Sequence, residues 1–541
     1  MARLIVTFLC VVASVLAVSN ALLLTPDCPV PYPCQCDVSI HCEQRGLTSI
    51  PSPSPSTHIF YALYLNGNGI TAVSSNSFQN YKATVIDLSH NPIVNFDPNA
   101  FLGMEDSLLE LNLEDTQIKS IPTSISTLKK LRKLNIRNNP ITFLSRSLTS
   151  GIGQSLRSFF FSSTKIRYWP DALDSLVHLE ELDASNNKVV YIRDGAMDAF
   201  SNSLRTLKLS NSSLASFQAP IADLTALQVL DLSNNSISTI SKGSFARFAS
   251  TLREFSLSGG SLSYIPSALE DLTSLQELNL NNNPMVSTND DVTDAGTSSL
   301  LTKSASTLTT LQLASSMLMA VPRALKALHS LVTLDLSKNR INTLQNYQFD
   351  SMSKLKTLEL NGNPLKTITS MTFSGLSSLT KLDLSNGQLP YVPSSSLSAM
   401  SSLLSLDLSN NQITTILPYA FENSHKLTNL DLSGNNFQDF QRDSFANAHS
   451  IKTLRMSRCS LKTLPGAITE AHGLRSVYVD GNTIPCTCAS LSWVGEWKAR
   501  VGLIPRLYGT CSSDPGLTLD QYINGQQIKQ CPSATSDKIV G

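Results

Sequence analysis

Two groups of cysteines, one near each end of the chain, offer the first recognisable chemistry. The groups are Cys28, Cys34, Cys36 and Cys42, then Cys486, Cys488, Cys511 and Cys531. Thiols at such short spacings bind zinc or form disulfides, and the cellular compartment decides which. Residues 1–21 combine an early cation, Arg3, with an apolar run and small residues at a cleavage position. This is the pattern of a secretory signal peptide. The sequence therefore predicts two disulfide-stapled modules in a secreted protein.

Catalytic chemistry has little support in the sequence. The histidines are scattered, and none joins a nucleophile or a metal-ligand motif: they are His41, His58, His90, His178, His329, His425, His449 and His472. Asp290, Asp291 and Asp294 have the side chains that calcium prefers, but their spacing matches no defined calcium loop, so a solvated acidic loop is the expectation. We therefore predict that the protein is not an enzyme and uses no cofactor or metal.

The charge balance excludes two further classes of partner. Lys plus Arg equals Asp plus Glu at 41 each, and only 15% of the 541 residues are charged. Such a chain has no global attraction to nucleic acid or to acidic membranes. After the signal peptide no stretch approaches the ~20 apolar residues of a spanning helix, and the ending CPSATSDKIVG is polar. We expect a secreted, extracellular protein without a membrane span.

A carboxylate between two leucines recurs along the chain, as Asp231 does in LQVLDLSNNSIS (227–238). The underlying template is L-x-x-L-x-L-x-x-N-x-L, which we find in about eighteen copies from Phe60 to Leu474. The copies are 23–25 residues apart with a single exception. Repetition at this period predicts a solenoid in which each repeat contributes one strand to a parallel sheet. Since side chains alternate along a strand, Asp231 faces away from the core that Leu230 and Leu232 enter.

The ninth template position separates two kinds of repeat. Many repeats have Asn there, as at Asn235, where an amide satisfies the backbone of neighbouring turns, and these repeats often carry Phe ten residues later. The others have Thr, Ser, Gly or Cys459 there and usually Pro six residues later. We expect the phenylalanines to stack into one row, the prolines to fix tight returns, and Cys459 to be a buried inert thiol. The alternating steps of 25 and 23 indicate duplication of a 48-residue pair.

The cysteine flanks and the repeats together resemble secreted extracellular leucine-rich-repeat proteins with cysteine-rich N- and C-terminal caps, of the Slit, Toll-like receptor ectodomain, acid-labile subunit and variable lymphocyte receptor types. The resemblance implies an α/β solenoid: a right-handed leucine-rich-repeat horseshoe with a parallel concave sheet, short helical, 3-10 or loop segments on the convex side, and disulfide caps at both ends. It implies the pairs Cys28–Cys36, Cys34–Cys42, Cys486–Cys511 and Cys488–Cys531. Trp493 and Trp497 match the family's aromatic seal.

The predicted organisation has five parts. They are a signal peptide (1–21), an N-terminal cap (28–57), repeats (58–484, with an insertion at 285–307), a C-terminal cap (485–531) and a polar tail (532–541). Whether the insertion has a function stays open. The sequons Asn211-Ser-Ser and Asn234-Asn-Ser mark expected glycosylation sites at Asn211 and Asn234.

Candidate ligand-binding residues lie between the strand leucines, in one column on the concave face, with Arg458 beside them. They are Tyr64, Phe160, Asp335, Glu359, Asp383, Asp407, Asp431, Arg455, Arg458 and Tyr478. The acids either await a cationic ligand or belong to a common strand sequence, in which they are hydrated, hydrogen-bonded to nearby serines or neutralised by Lys356 and Lys381. Phe160 is either a binding anchor or a lone surface apolar residue.

These features predict a protein that binds another extracellular protein on its concave face, in recognition, adhesion or signalling. The alternative is a matrix or carrier subunit that acts as a non-catalytic scaffold in a secreted complex. The basic and aromatic residues near the C-terminal end, Arg455, Arg458 and Tyr478, point to a sulfated glycan as a further partner or to ordinary surface scatter. A homodimer is also compatible with the sequence.

Overall fold

The computed structural model describes residues 28–54, 59–285, 301–502, 504–525, 528 and 531. The predicted signal peptide (1–21), the polar tail (532–541) and most of the insertion (285–307), including Asp290, Asp291 and Asp294, lie outside the described residues. The chain divides into two compact units, one ending at Asn235 and the other beginning at Ser236. Each unit is a stack of short parallel strands.

In the first unit, repeat strands stack in chain order behind a small antiparallel pair in the N-terminal cap. The strands are Gln35–Cys36, Ile40–His41, Phe60–Tyr64, Ala83–Asp87, Glu110–Asn112, Lys133–Asn135, Ser158–Phe160, Glu181–Asp183, Thr206–Lys208 and Val229–Asp231. A two-stranded sheet, Ala72–Val73 with Asn95–Phe96, lies in the return segments. The helices are α-helices Arg146–Ile152 and Ala219–Ala222 and 3-10 helices Thr123–Thr127, Asp171–Ser175 and Asp198–Phe200.

The second unit repeats this arrangement and ends in the C-terminal cap. Its strands are Glu254–Ser256, Glu277–Asn279, Thr310–Gln312, Thr333–Asp335, Thr357–Glu359, Lys381–Asp383, Ser405–Asp407, Asn429–Asp431, Thr453–Arg455, Ser476–Tyr478 and Arg506–Tyr508, with the pair Thr415–Ile416 and Asp439–Phe440 in the returns. Its α-helices are Ser394–Leu397, Cys488–Val501 and Leu519–Asn524. Its 3-10 helices are Ala246–Phe248, Ser267–Asp271, Thr302–Ser304, Arg323–Ala327 and Gly466–Glu470.

Alternation along each strand separates the core from the exposed side of the sheet. Leu230 and Leu232 are both 0% exposed, whereas Asp231 between them is half-buried on the other side. Neighbouring strands pair the same template positions, so Leu207 lies beside Leu230 and Lys208 beside Asp231. The predicted inward leucines and outward carboxylate are therefore confirmed, and we call the outward side the open face.

Buried asparagines hold successive repeats together where the chain leaves the sheet. Asn339 is 5% exposed, and its Oδ1 accepts the backbone N–H groups of Ser316 and Leu318 at 2.8 and 3.1 Å. Its Nδ2 donates to the carbonyl oxygens of Leu313 and Leu336 at 2.8 and 2.9 Å. One amide thus pairs four backbone groups that have no partner in the sheet, which a buried backbone requires.

The repeats that lack this asparagine supply a small residue that fits the asparagine of the next repeat. Thr116 Oγ1 donates to Asn139 Oδ1 at 2.6 Å. A Cβ on Gly260 would lie 2.8 Å from Asn283 Oδ1, and one on Gly387 would lie 2.7 Å from Asn411 Oδ1, so a larger residue at either position would displace the amide of the next repeat. Cys459 is fully buried, and burial raises the pKa of its thiol to about 11, which keeps it protonated.

The residue just before the ninth position takes a left-handed backbone conformation in both units. Its φ is 51–57° wherever it is not glycine, including the long side chains Lys338 and Arg458. Asn and Gly dominate this position because they tolerate positive φ best. This conformation was not predicted from the sequence.

The return segments follow the predicted proline and phenylalanine pattern with one difference. Pro122, Pro170 and Pro322 each directly precede a 3-10 helix, where a fixed φ starts the turn. Most of these phenylalanines stack in pairs rather than in one row, as Phe349 and Phe373 do at 6.2 Å between ring centroids. Phe245 packs against Phe248 and Phe255 instead. Repeats of the other kind, which carry no such phenylalanine, interrupt the stack.

Disulfides secure both caps. The structure forms Cys28–Cys36, Cys34–Cys42, Cys486–Cys511 and Cys488–Cys531, the pairs that the resemblance implies. In the C-terminal cap, Trp497 is 6% exposed and its ring stacks 6.2 Å from that of Trp493. The cap also contributes a strand, Arg506–Tyr508, which pairs with Ser476–Tyr478 and extends the sheet. This strand was not predicted.

Replacing the bridging amide tests this account of the repeat. We expect Asn339→Ala to cost at least about 3 kcal/mol of folding free energy, because it leaves several buried backbone groups unpaired. Hydrogen exchange should accelerate first at the amides of Ser316 and Leu318, which donate to Asn339. The control is Asn342→Ala, a change at an exposed asparagine of the same repeat, which should leave both amides protected. Equal protection in the two variants would contradict the bridging role.

Candidate functional site

The open face is built from template positions three, five and seven, because these share the side of the strand away from the core. In the strand Ser158–Phe160, Phe159 is 1% exposed and points inward, while Phe160 is half-buried on the open face. Apart from Arg458, the candidate binding residues predicted from the sequence all come from position five. Lys133, at position three, and Arg137, at position seven, were therefore missed, although the period of two already placed them here.

A groove on the open face of the first unit brings several of these side chains together. Its volume is about 430 Å³, and it runs over the strands from Phe60–Tyr64 to Ser158–Phe160. We call it the aromatic groove. Its lining includes Tyr61, Tyr64, Val85, Leu111, Arg137 and Phe160. Two predicted site residues, Tyr64 and Phe160, thus line one depression.

Arg137, which lies two residues beyond the end of the neighbouring strand, covers one side of Phe160. The guanidinium carbon of Arg137 lies 4.4 Å from the centroid of the Phe160 ring, within the range of a cation–π contact. Arg137 also donates from two nitrogens to Asp183 Oδ2, at 2.7 and 3.1 Å. Asp183 is 7% exposed and its Oδ1 accepts the Ser185 backbone N–H at 3.0 Å. The carboxylate therefore fixes the guanidinium, and the guanidinium in turn fixes the exposed aromatic ring.

The other end of the aromatic groove borders the N-terminal cap. Tyr64 is half-buried, and its ring centroid lies 5.3 Å from that of His41 on the neighbouring cap strand. Burial, with smaller contributions from Tyr61 and Asp87, raises the pKa of Tyr64 above its usual value of 10. The phenol is therefore neutral at physiological pH and retains its O–H donor.

Five carboxylates stand in register on successive strands of the second unit, as predicted; we call them the acidic row. The row is Asp335, Glu359, Asp383, Asp407 and Asp431. In each aspartate, Oδ1 accepts the backbone N–H two residues later at 2.8–2.9 Å, and Asp231 in the first unit does the same. Lys381 Nζ donates to Glu359 at 2.6 Å. The recurring aspartate therefore stabilises the turn that follows its strand, through the serine backbone. A role for the row in ligand binding remains a prediction.

The acidic row is also electrostatically strained. Burial, and then repulsion from Asp383 and Asp431, raises the pKa of Asp407 above 3.8, against the opposing hydrogen bonds from Ser409. Burial likewise raises the pKa of Glu359, although the ion pair with Lys381 opposes this shift. Ionisation of Asp407 and Glu359 at neutral pH therefore costs folding free energy.

Stacked arginines and tyrosines end the column in the second unit; we call this group the Arg–Tyr stack. The guanidinium carbon of Arg455 lies 4.1 Å from the Tyr478 centroid, and the Tyr478 and Tyr508 rings stack at 4.4 Å. Arg506 follows at 5.0 Å from Tyr508. Tyr508 and Arg506 were missed because they belong to the unpredicted cap strand. Arg458 is exposed in the left-handed turn beyond the Arg455 strand and is not part of this stack.

Both sequon asparagines are exposed and occupy the left-handed position of their repeats, with φ of 51° at Asn211 and 55° at Asn234. Asn211 Nδ2 donates to Asn186 Oδ1 at 3.0 Å. In the part of the chain that the structure describes, no group of three His, Cys, Asp or Glu side chains is arranged to hold a metal.

Comparison with protein families agrees with the geometry. A leucine-rich repeat model matches residues 61–118, 83–141, 129–189, 202–251, 227–285 and 425–484, which together make up half of the chain. A BspA-type leucine-rich repeat model matches residues 321–452 in 6 copies. The chain belongs to the leucine-rich repeat family.

Curated leucine-rich repeat relatives match one segment rather than the whole length. Leucine-rich repeat-containing protein 3 of Danio rerio is 35% identical over 106 residues, which is 18% of this chain and 39% of the relative. Keratocan of Mus musculus is 36% identical over 100 residues, 18% of this chain and 26% of keratocan. Mouse prolargin is 33% identical over 111 residues, 20% of this chain and 28% of prolargin. The matches thus span well under half of these relatives.

Solved leucine-rich repeat structures resemble the chain over most of its length. A chain of the Drosophila Toll–Spatzle complex has a TM-score of 0.65 at 18% identity, over 87% of this chain and 67% of that chain. A chain of the mouse RP105/MD-1 complex has a TM-score of 0.53 at 17% identity, over 92% of this chain and 98% of that chain. At these identities the likeness establishes the fold alone.

The leucine-rich repeat fold is typically a non-catalytic scaffold for binding ligands. None of the helices in the described residues combines the length and apolarity needed to cross a membrane. Disulfides close both ends of the described chain, and the relatives that it matches include keratocan and prolargin.

The raised pKa of Asp407 predicts that neutralising this residue stabilises the protein, and that the gain depends on pH. Because the pKa of Asp407 is raised on folding, the folded state binds its proton more tightly, and stability falls as pH rises above 3.8. Asp407→Asn removes the charge and keeps an acceptor for Ser409. We expect its melting temperature to exceed that of wild type by about 1–3 °C at pH 7 and to match it below the usual carboxylate pKa.

The matched control is Asp231→Asn. This aspartate makes the same bond to its turn, but its neighbour on the adjacent strand is Lys208 rather than an acid. Its neutralisation should leave the melting temperature unchanged or lower it. A loss of stability in Asp407→Asn at pH 7 would contradict the strain.

Proposed function

We propose that this leucine-rich repeat protein is secreted and binds another extracellular protein on its open face, with the aromatic groove as the anchor. The observation that carries the proposal is the aromatic ring of Phe160 under the guanidinium of Arg137, at one end of a groove whose other end holds two tyrosines. A few residues supply most of the binding energy of a protein interface, and aromatic and arginine side chains are enriched in interfaces.

The groove is also prepared for binding before a ligand arrives. Its arginine is held by the buried carboxylate of Asp183, so little side-chain freedom remains to be lost on association. Phe160 has no acceptor with which to stabilise its strand exit, unlike the aspartates at the same template position. Its side chain is therefore available to a partner. A hydrogen bond to the following turn, which explains the aspartates, cannot explain Phe160.

The kind of partner follows from the shape of the groove and from the similar structures. The groove spreads over five strands of a sheet, so it offers little of the enclosure that small ligands need, whereas a partner's side chains fit into it. Two similar structures are complexes, of Toll with Spatzle and of RP105 with MD-1. We extend protein binding to this chain on that basis.

Secretion is part of the same proposal. It is supported by the predicted signal peptide, by disulfides at both ends, which persist in oxidising compartments, and by the two exposed sequon asparagines. Glycans at Asn211 and Asn234 would extend from the strand exits of neighbouring repeats and direct a partner toward the remaining face. The domain boundaries and the homodimer stay predictions from the sequence.

A pair of aromatic substitutions tests the anchor. Partners captured from extracellular fluid by the wild-type chain are identified and purified, and their affinity is then measured for each variant. We expect Phe160→Ala to weaken binding by about 10- to 100-fold with little change in melting temperature. The control is Tyr168→Ala, which removes a 79% exposed aromatic of the same repeat outside the strand and should bind normally.

The alternative function, a matrix or carrier scaffold, makes the opposite prediction for this experiment. A scaffold assembles through surfaces other than the aromatic groove, so its complexes would survive Phe160→Ala unchanged. Such retention with full affinity would overturn the anchor.

A second proposal concerns the Arg–Tyr stack, which we assign to a sulfated glycan. The rings of Tyr478 and Tyr508 stack on each other, and Arg455 covers the Tyr478 ring, so a sugar ring cannot stack between the two tyrosines. The stack instead holds the planar guanidinium groups of Arg455 and Arg506, whose N–H donors match sulfate oxygens.

Heparin chromatography tests this assignment. We expect Arg455→Ala/Arg506→Ala to elute at clearly lower salt than wild type, because two oriented cations are lost. The control is Arg340→Ala/Arg442→Ala, which removes the same charge from exposed residues outside the strands. An equal shift in both double variants would show that only net charge matters.

A further inference from the structure

Two histidines from neighbouring repeats meet on the surface of the second unit, far along the chain from the aromatic groove. His449 Nδ1 and His472 Nδ1 are 3.3 Å apart, and the ring centroids are 5.1 Å apart. Both side chains are exposed. Neither residue was assigned a role from the sequence, where the histidines look scattered.

The backbone fixes this meeting. His449 and His472 each stand two residues before the first template position of their repeats, Ile451 and Leu474, so the stacking of repeats brings them side by side. The residue after His472 is Gly473, and a Cβ there would collide with the carbonyl oxygen of His449. The two segments are therefore in close contact, and glycine is what permits it.

A hydrogen bond explains the contact poorly. Two neutral imidazoles can share one proton between their Nδ1 atoms, but 3.3 Å is longer than the usual range of such bonds. Two protonated rings at this distance would repel each other. The direct bond is therefore a long one, and it forms only when one ring is the donor and the other the acceptor.

A transition-metal ion can bind both Nδ1 atoms at once, each through its lone pair. Histidine nitrogens bind Zn²⁺ at about 2.0–2.1 Å, and two ligands at the tetrahedral angle are then about 3.3–3.4 Å apart. The observed separation of 3.3 Å equals that edge. Imidazole is a preferred ligand of zinc, copper and nickel, and either ring nitrogen can bind.

We propose that His449 and His472 form a surface site for a Zn²⁺-class divalent ion, with water in the remaining coordination positions. The site has two protein ligands, consistent with the absence of any three-ligand group among the described residues. It does not depend on the protein-binding proposal.

Calorimetric titration of the untagged full-length chain with ZnCl₂ tests the site. We expect one ion per chain, and each of His449→Gln and His472→Gln should weaken binding by at least about 10-fold. The control is His329→Gln: His329 holds the same template position, two residues before Leu331, but serines take that position in both adjacent repeats. This variant should bind zinc like wild type.

A second readout counts the ligands. With Cu²⁺ in place of zinc, the nitrogen couplings in the electron paramagnetic resonance spectrum should report two imidazoles in wild type and one in His449→Gln. Unaltered melting of the metal-free variants shows that they fold. Absence of zinc binding in wild type, or undiminished binding in the His449→Gln/His472→Gln double variant, would overturn the proposal.

Discussion

A solenoid of this kind must turn its chain out of the sheet at every repeat while the backbone at the turn stays packed. The buried asparagine amide makes this possible, because a single side chain supplies two donors and an acceptor to backbone groups of two repeats, as Asn339 does. The inward leucines alone would supply burial without pairing these groups. The residue before the asparagine takes a left-handed conformation in the same turn.

The same turn explains the composition of the open face. An aspartate between the strand leucines accepts the backbone N–H two residues later, and an asparagine does so at Asn135. Acids therefore recur for a structural reason, and repulsion within the acidic row is the cost of placing five repeats of this kind together. The informative positions are those where the residue cannot make the bond, such as Phe160, Arg455 and Tyr478. There the side chain engages other groups of the open face instead.

Much of the fold was predictable because independent signals agree. Period two placed Leu230 inward, the 23–25-residue spacing placed the strands, and the cysteines marked both caps. The left-handed position was harder to predict, since Lys338 and Arg458 take that conformation without favouring it. The strand of Tyr508 was not predicted because it lies in the C-terminal cap, where cysteines rather than the repeat template mark the sequence.

The candidate site was predictable only in part. Alternation gave Phe160 its side of the sheet, but not the contact with Arg137, which depends on the conformation of a long side chain anchored two strands away at Asp183. Likewise, the histidine pair required the template numbering of two repeats to be compared. Single-repeat patterns show which side a residue faces, whereas contacts between repeats require the stacked structure.

The fit between Gly260 or Gly387 and the amide of the following repeat has a consequence for inheritance. Each repeat without an asparagine is matched to a successor that has one, so the interface between them is asymmetric. Excising one asparagine repeat from the alternating region would bring Thr116 against Thr164 and leave no amide between them. Excising a repeat without an asparagine would instead place two asparagine repeats in contact, a junction that the repeats of Asn339 and Asn363 already form. A single repeat of that kind can therefore be lost while every turn keeps its amide.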